Sequence, residues 1–313
     1  MFALREIAVS LTFFILFYGL LSTLVAVAWR SLKSLQASAR SLAALLFVLR
    51  VFPMAASVVI TFAFVVPSFQ LLEPRSIDEG MGTVPLTLGG CALLLIAWGC
   101  YRVITAQIKT SRTVARWLEG ANPLNVDSDA QVVTFRSRRE APPLTLMGVR
   151  RPRVLVSESA IALLSHDELH VALQHELAHM QSRDNLKKLV FRFCPFPGMA
   201  RLESAWSQAA ELAADDAAVS NLDDAVDLAA VLVKLSRLVP VEAAPACTVG
   251  FVTGSISARV ARLLVWDEAV RFQPMRMRPW SVIPPALVAL SCVLATYGPA
   301  LALTHEVTEW LVR

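Results

Sequence analysis

The chain has 313 residues, of which 56% are hydrophobic and only 17% are charged, and its mean hydropathy is +0.56. This composition is too apolar for an ordinary soluble domain and predicts a membrane protein. The formal net charge of +4 is small, so it gives no reason to expect nucleic acid as a partner. The five cysteines include no Cys-x-x-Cys pair, which argues against a thiolate metal site and a disulfide framework.

Four apolar runs are long enough to cross a bilayer as helices, each of which needs about 20 residues. They cover residues 7–29, 51–71, 84–104 and 280–303. Arg50 precedes the second run, and we expect it at the membrane interface with its guanidinium reaching lipid phosphates. Residues 30–50 would then include a basic amphipathic helix on the membrane surface. A functional Arg50 buried within the second span is the alternative.

Basic residues predict the orientation in the membrane. They lie between the first and second spans, after the third span and before the fourth, whereas the connection between the second and third spans is acidic on balance. We therefore expect a multi-pass protein of the cell inner (plasma) membrane, with its N-terminus outside and the region between the third and fourth spans in the cytoplasm. Only a short tail follows the fourth span, so we expect no extracellular sensor domain there.

The predicted cytoplasmic region has a mixed α+β pattern. Residues 131–135, 144–147 and 153–157 have strand character, and residues 222–238 and 256–271 form amphipathic helices. Residues 144–156 are a candidate edge strand, which would hold an extended substrate peptide by backbone pairing. A hairpin inside the core is an equally good interpretation of the same residues.

A metal-binding motif occurs in the middle of this region. His175 and His179 are four residues apart in His-Glu-Leu-Ala-His, so a helix places both imidazoles on one face, where they can bind one zinc ion. Glu176 follows the first histidine and is placed to take a proton from a zinc-bound water. Ser165 and Glu168 have the spacing of a capping box, which predicts the start of this helix.

A catalytic zinc ion needs a third protein ligand. Glu211 is our candidate, and Asp215, four residues later on the same helical face, is placed to accept the free ring N–H of a ligand histidine. Glu203 lies two helical turns earlier and is a weaker candidate ligand. A solvated acidic helix face remains the alternative interpretation of these residues.

The other histidines fit a metal site less well. His170 points away from the metal-binding face at about 100° per residue. His166 lies at the helix start, and His305 lies beyond the last apolar run. An oxyanion in the reaction would need a stabilising group besides zinc. That role stays unassigned, with His170 or an arginine as options.

Taken together, these motifs resemble the membrane-embedded gluzincins of the beta-lactam-sensor family (BlaR/MecR type), and more distantly the HtpX-type and CAAX-processing membrane peptidases. The resemblance covers residues 132–264. It is carried by Gly148-Val-Arg-Arg-Pro-Arg-Val-Leu-Val-Ser, Asp167-Glu168-Leu169, the His175–His179 motif, Arg183-Asp184-Asn185 and Glu211-Leu-Ala-Ala-Asp215.

The resemblance implies one zinc ion per chain, held by His175, His179 and Glu211, with Glu176 as the general base. It also implies that Asp184 anchors the end of the active helix by polar contacts and that Asp215 supports the metal ligands. The expected fold is a multi-pass α-helical membrane protein with an inserted cytoplasmic α+β zincin-like (gluzincin) peptidase domain. Its expected domains are a membrane region (1–104), the peptidase domain (105–278) and the fourth span with its tail (279–313).

Three functions are compatible with these features. The first is a regulatory zinc-dependent endopeptidase that cleaves a cytoplasmic repressor. The second is a quality-control or processing peptidase for membrane proteins. The third is a non-enzymatic membrane scaffold with a structural metal, which Glu176 argues against because a structural site needs no base. The expected partners are the lipid bilayer, a protein or peptide substrate, and a separate sensor or repressor protein.

Overall fold

The computed structural model describes residues 2–30, 37–73, 82–124, 134–137, 142–149, 152–238, 248–250, 256–266 and 296–310. The described part is mostly helical and contains one small sheet. Most of the predicted fourth span, residues 280–303, lies outside the described residues, and so do Cys247 and Cys292.

Three helices in the described part are long and apolar enough to cross a membrane. They are α1 (Phe2–Ala28), the helix Ala39–Leu72, and α4 (Thr83–Leu118). The second consists of α2 (Ala39–Ile60), a π-helical turn (Thr61–Val65) and α3 (Val66–Leu72). These helices confirm the membrane character that the composition predicts.

The sheet has five short strands in the order β1-β2-β4-β3-β5. Its strands are β1 (Asn122–Leu124), β2 (Thr134–Ser137), β3 (Leu144–Met147), β4 (Arg153–Ser157) and β5 (Thr248–Gly250). The structure confirms β3 and β4 at their predicted positions. It contradicts the interpretation of β3 as an edge strand, because β5 pairs antiparallel with it and occupies that edge.

Six helices accompany the sheet in the described residues between β4 and residue 266. They are α5 (Glu158–Leu163), α6 (His166–Gln181), α7 (Asp184–Phe193), α8 (Ala200–Ala218), α9 (Leu222–Ser236) and α10 (Ile256–Leu264). Val171 of α6 and Leu228 of α9 share one buried core with Leu146 of β3 and Val156 of β4. The inner face of α6 therefore packs between β3 and α9, and this packing fixes the orientation of α6.

The structure gives Arg50 a different environment from the one we expected. Helix α2 starts at Ala39 and passes through Arg50 without a break, and its first half packs on α8 through Ala43 and Leu46. The separate surface helix predicted for residues 30–50 is therefore wrong in the described residues. Arg50 is only 2% exposed, so its guanidinium is buried in protein rather than extended toward lipid.

Residues 191–195, at the end of α7, lie among the membrane helices. Arg50 Nη2 donates hydrogen bonds to the carbonyls of Phe191 (3.3 Å) and Cys194 (2.6 Å). The hydroxyl of Tyr18 in α1 donates to the carbonyl of Pro195 at 3.0 Å. On the α4 side, a Cβ on Gly99 would collide with the Phe193 carbonyl oxygen. We call this set of contacts the membrane joint.

Candidate metal centre

Helix α6 forms as its sequence predicts. The Ser165 side chain accepts a hydrogen bond from the Glu168 backbone N–H, and the Glu168 carboxylate accepts one from the Ser165 N–H, which completes the capping box. The Glu168 carboxylate also pairs with Lys234 of α9 at 2.6 Å. These contacts fix the start of a helix whose second half carries His175 and His179, each at most 1% exposed.

The structure brings the three predicted ligands together. The Nε2 atoms of His175 and His179 are 3.2 Å apart. The Glu211 carboxylate lies 3.6 Å from His175 Nε2 and 3.7 Å from His179 Nε2. Tetrahedral zinc with Zn–N bonds of about 2.0–2.1 Å would separate two ligand atoms by about 3.3 Å. The spacing of the three groups therefore suits a single small ion between them.

The outer side of each imidazole faces a carboxylate. His179 Nδ1 hydrogen-bonds Asp184 Oδ2 at 2.8 Å, and His175 Nδ1 lies 3.1 Å from Asp215 Oδ1. Carboxylates favour a proton on Nδ1, so both Nε2 atoms present lone pairs to each other and to Glu211. Ring nitrogens and carboxylate oxygens that face one another repel unless a proton or a cation lies between them. The donor set therefore fits a bound metal ion.

A sharp turn brings Asp184 back to His179. Arg183, between α6 and α7, has φ 55° and ψ 39°, a left-handed conformation that costs a non-glycine residue of the order of 1 kcal/mol. Asn185 then donates from Nδ2 to the Gly148 carbonyl at 3.0 Å, which ties the start of α7 to the end of β3. The Arg183-Asp184-Asn185 motif thus orients a candidate metal ligand.

The surroundings shift the pKa values of this cluster in opposite directions. Burial lowers the pKa of His175, but the contacts with Asp215 and Glu211 outweigh burial and raise it to about 9. Burial raises the pKa of Asp184, Glu211 and Asp215, whereas their histidine and cationic partners hold all three below the ordinary range. The lowered pKa values keep the three carboxylates ionised at neutral pH, and this negative charge favours a cation beside them.

Glu176 differs from the other acids in the cluster. It is fully buried, and neither carboxylate oxygen makes a hydrogen bond with good geometry to any described residue. Burial raises its pKa, while the neighbouring histidines lower it by less. A buried carboxylate with few stabilising partners is a stronger base than a hydrated one, and this is the property that a general base needs.

Arg259 of α10 belongs to the cluster, although our reading of the sequence did not single it out. Its guanidinium donates to both oxygens of Asp215, at 2.8 and 2.6 Å, and to Glu211 Oε2 at 2.9 Å. It is 3% exposed. In the sequence, Arg259 is one of several arginines in an amphipathic helix. The pattern does not distinguish this buried arginine from an exposed one such as Arg262.

The remaining candidates fall elsewhere. Glu203 pairs with Arg50 at 2.9 Å, next to the membrane joint. The structure therefore does not support Glu203 as an alternative metal ligand. His166 and His170 are exposed, which leaves His170 without a place beside the buried cluster. His305 lies 3.8 Å from Glu73 and 3.5 Å from Glu309, in a separate group.

A cavity of about 520 Å³ reaches the candidate centre at His179 and Asp184. Its other walls come from the end of β3, at Leu146 and Gly148, and from the turn around Arg183.

No model of a known protein family matches the sequence, and comparison with the curated proteins gives no significant match. The resemblance to the beta-lactam-sensor peptidases therefore depends on the motif residues themselves, and the function stays a hypothesis.

Proposed function

We propose that the chain is an integral-membrane zinc-dependent endopeptidase with a zincin-like fold. One observation carries this proposal: the ligand atoms of His175, His179 and Glu211 converge in a buried space next to Glu176, a buried carboxylate without a charged hydrogen-bond partner in the described residues. Two histidines and a glutamate are the ligands of a catalytic zinc ion in several peptidases, and they leave a fourth position open. A purely structural site would have no use for a base beside it.

Each residue has a specific role in this mechanism. Bound zinc would supply a Lewis acid and lower the pKa of a coordinated water. Glu176 takes the proton from the attacking water on a carboxylate oxygen and later gives it to the leaving amine. Asp184 and Asp215 hold the two imidazoles with Nε2 turned inward. Arg259 balances the charge of the two carboxylates that it contacts, Asp215 and Glu211.

The substrate is a protein or peptide segment that enters the cavity beside His179. A cytoplasmic repressor, cleaved in response to a separate sensor, is the first candidate, and a membrane protein under quality control is the second. The resemblance favours the first, and the membrane helices are compatible with both. Proteomic comparison of cells carrying wild-type chain or Glu176→Ala separates a single cleaved target from many.

Detergent-purified protein tests the enzymatic proposal. Wild type should contain about one zinc ion per chain and cleave itself or denatured casein. Glu176→Ala should retain zinc and lose cleavage, because the ligands remain and the base is gone. His179→Ala should lose both. His170→Ala changes an exposed histidine of the same helix and should keep both.

Two results contradict the proposal. Full cleavage by Glu176→Ala would remove the mechanism, and zinc retained in full by His179→Ala would remove the ligand set. Tightly bound zinc with no cleavage by wild type would favour the scaffold with a structural metal.

A further inference from the structure

A second cavity, of about 200 Å³, lies between α4, α7 and α8. Its charged lining consists of Arg102 from α4, Lys188 and Arg192 from α7, and Glu203 from α8. Lys188 lies one helical turn after Asp184, and Ser207, also in the lining, lies one turn before Glu211. The cavity therefore lies beside the metal cluster, on the side of the membrane joint.

The lining has an excess of positive charge. Arg102 and Arg192 carry this charge, because Lys188 has the carboxylates of the candidate metal centre as neighbours and Glu203 already accepts a hydrogen bond from Arg50 at 2.9 Å. Within the described part of the chain, no carboxylate pairs with the guanidinium of Arg102 or of Arg192. An anion in the cavity would offset the repulsion among these groups.

The lining also offers hydrogen-bond donors. Trp206 is 2% exposed, and its buried indole N–H makes no hydrogen bond to any residue that the structure describes. Burial lowers the pKa of Lys188, while the carboxylates of Glu211, Asp184 and Glu176 raise it by less. We therefore leave Lys188 out of the set of donors. A buried indole donor and two guanidiniums together suit a group with several acceptor oxygens and negative charge.

The cavity lies at the level where α4 changes from apolar to basic. Trp98 and Tyr101 stack with their ring centroids 5.6 Å apart, and both are more than half exposed. Exposed aromatic pairs of this kind mark the headgroup level of a bilayer, and Arg102 follows directly. Basic pockets between helices at this level bind phosphate headgroups.

We propose that the cavity between α4, α7 and α8 binds the phosphate of an anionic phospholipid from the surrounding leaflet. Arg102 and Arg192 contact the phosphate oxygens from two sides, and the Trp206 indole N–H adds a neutral donor. The aromatic pair Trp98 and Tyr101 packs beside the glycerol region. The proposal concerns binding alone, so it does not depend on the proposed peptidase activity.

Native mass spectrometry of the full chain in mixed micelles of phosphatidylglycerol and phosphatidylcholine tests the proposal. Wild type should retain phosphatidylglycerol in preference to phosphatidylcholine. Arg102→Gln/Arg192→Gln should lower the bound phosphatidylglycerol about tenfold or more, because each basic group near a headgroup contributes roughly a fivefold change in affinity. Arg112→Gln/Arg116→Gln removes two exposed charges from the same helix outside the cavity and should retain the lipid.

Three results would overturn the proposal. One is equal retention of the two lipids by wild type. The second is equal loss of phosphatidylglycerol in the two double variants, which would indicate nonspecific attraction to the surface. The third is unchanged lipid retention in Arg102→Gln/Arg192→Gln together with lost cleavage of peptides that contain acidic residues, which would assign the cavity to the substrate. Thermal unfolding of each variant identifies any general loss of folding.

Discussion

Two buried arginines lie in two regions of the molecule, and they have different kinds of hydrogen-bond partner. Arg259, in the candidate metal centre, contacts the carboxylates of Asp215 and Glu211. Arg50, in the membrane joint, donates to the helix-end carbonyls of Phe191 and Cys194 as well as to Glu203. Arg259 thus neutralises buried negative charge, whereas Arg50 satisfies the end of α7 and connects it to a membrane helix. The same type of side chain therefore balances charge in one region and links two helices in the other.

Because the partners differ, we expect removal of each arginine to destabilise the protein in a different way. Without Arg259, two buried acids keep their charge with fewer compensating partners, which is the costly way to break a buried ion pair. Without Arg50, two carbonyls lose a donor, but Glu203 is partly exposed and can regain water. The candidate metal centre should therefore respond strongly to the loss of Arg259 and weakly to the loss of Arg50.

The largest effect is expected at Arg259. Arg259→Gln should lower zinc affinity and cleavage by about 10-fold to 100-fold, the usual range for groups that orient metal ligands. It should also lower the free energy of unfolding by about 3 kcal/mol or more, because Asp215 and Glu211 stay buried. Zinc titration and thermal unfolding measure the two effects. Arg262→Gln, which removes an exposed arginine of the same helix, should change both very little.

Arg50→Leu should destabilise the protein without removing zinc. Unsatisfied carbonyls at Phe191 and Cys194 should lower the free energy of unfolding by about 1–3 kcal/mol. Zinc content at low temperature should stay at the wild-type level, because the proposed ligands His175, His179 and Glu211 do not contact Arg50 in the described structure. Loss of zinc from folded Arg50→Leu would show that the two regions are not separable.

Gly99→Ala tests the joint from the α4 side. The new methyl group meets the Phe193 backbone, so α4 and α7 must move apart, at a cost of about 1–3 kcal/mol. Gly90→Ala on the same helix is a matched control, since a methyl group there meets nothing within 4 Å. Replacing a helical glycine by alanine is otherwise stabilising by about 0.5–1 kcal/mol, so the two variants should shift the midpoint of thermal unfolding in opposite directions.

The smallest effect concerns the start of α6. Burial raises the pKa of Glu168, but Lys234 and Ser165 outweigh it and hold the pKa below 4.5. A lowered carboxyl pKa stabilises the fold above pH 4.5, and this contribution is lost as the pH falls through the folded-state pKa. Glu168→Gln should therefore be less stable than wild type by about 1 kcal/mol at pH 7, with the difference vanishing in acid. A constant difference from pH 7 to pH 3 would exclude a contribution from the carboxylate charge.

Local patterns predict the parts of the molecule that local geometry determines. The capping box, the spacing of His175 and His179, and strands β3 and β4 depend on residues close together in the chain, and the structure has them where the sequence predicts them. The pairing of Asp215 with His175 follows from helical spacing once Glu211 is chosen as a ligand.

Long-range partners could not be predicted in this way. Arg50 meets Glu203 across 153 positions, and Arg259 meets Asp215 across 44. Each of these arginines lies in a sequence where an exposed arginine would be equally normal, and only packing decides which is buried. The pairing of β5 with β3 could not be predicted either, because a strand of three residues is too short to show a periodic pattern.

The length of α7 has a structural consequence. Its ten residues form a rod of about 15 Å. Asp184, which contacts His179, lies at one end, and Phe193, whose backbone lies against Gly99 of α4, lies at the other. The latter end also contacts Arg50 of α2. The packing of the two long apolar helices and the orientation of a candidate metal ligand therefore depend on the same ten residues.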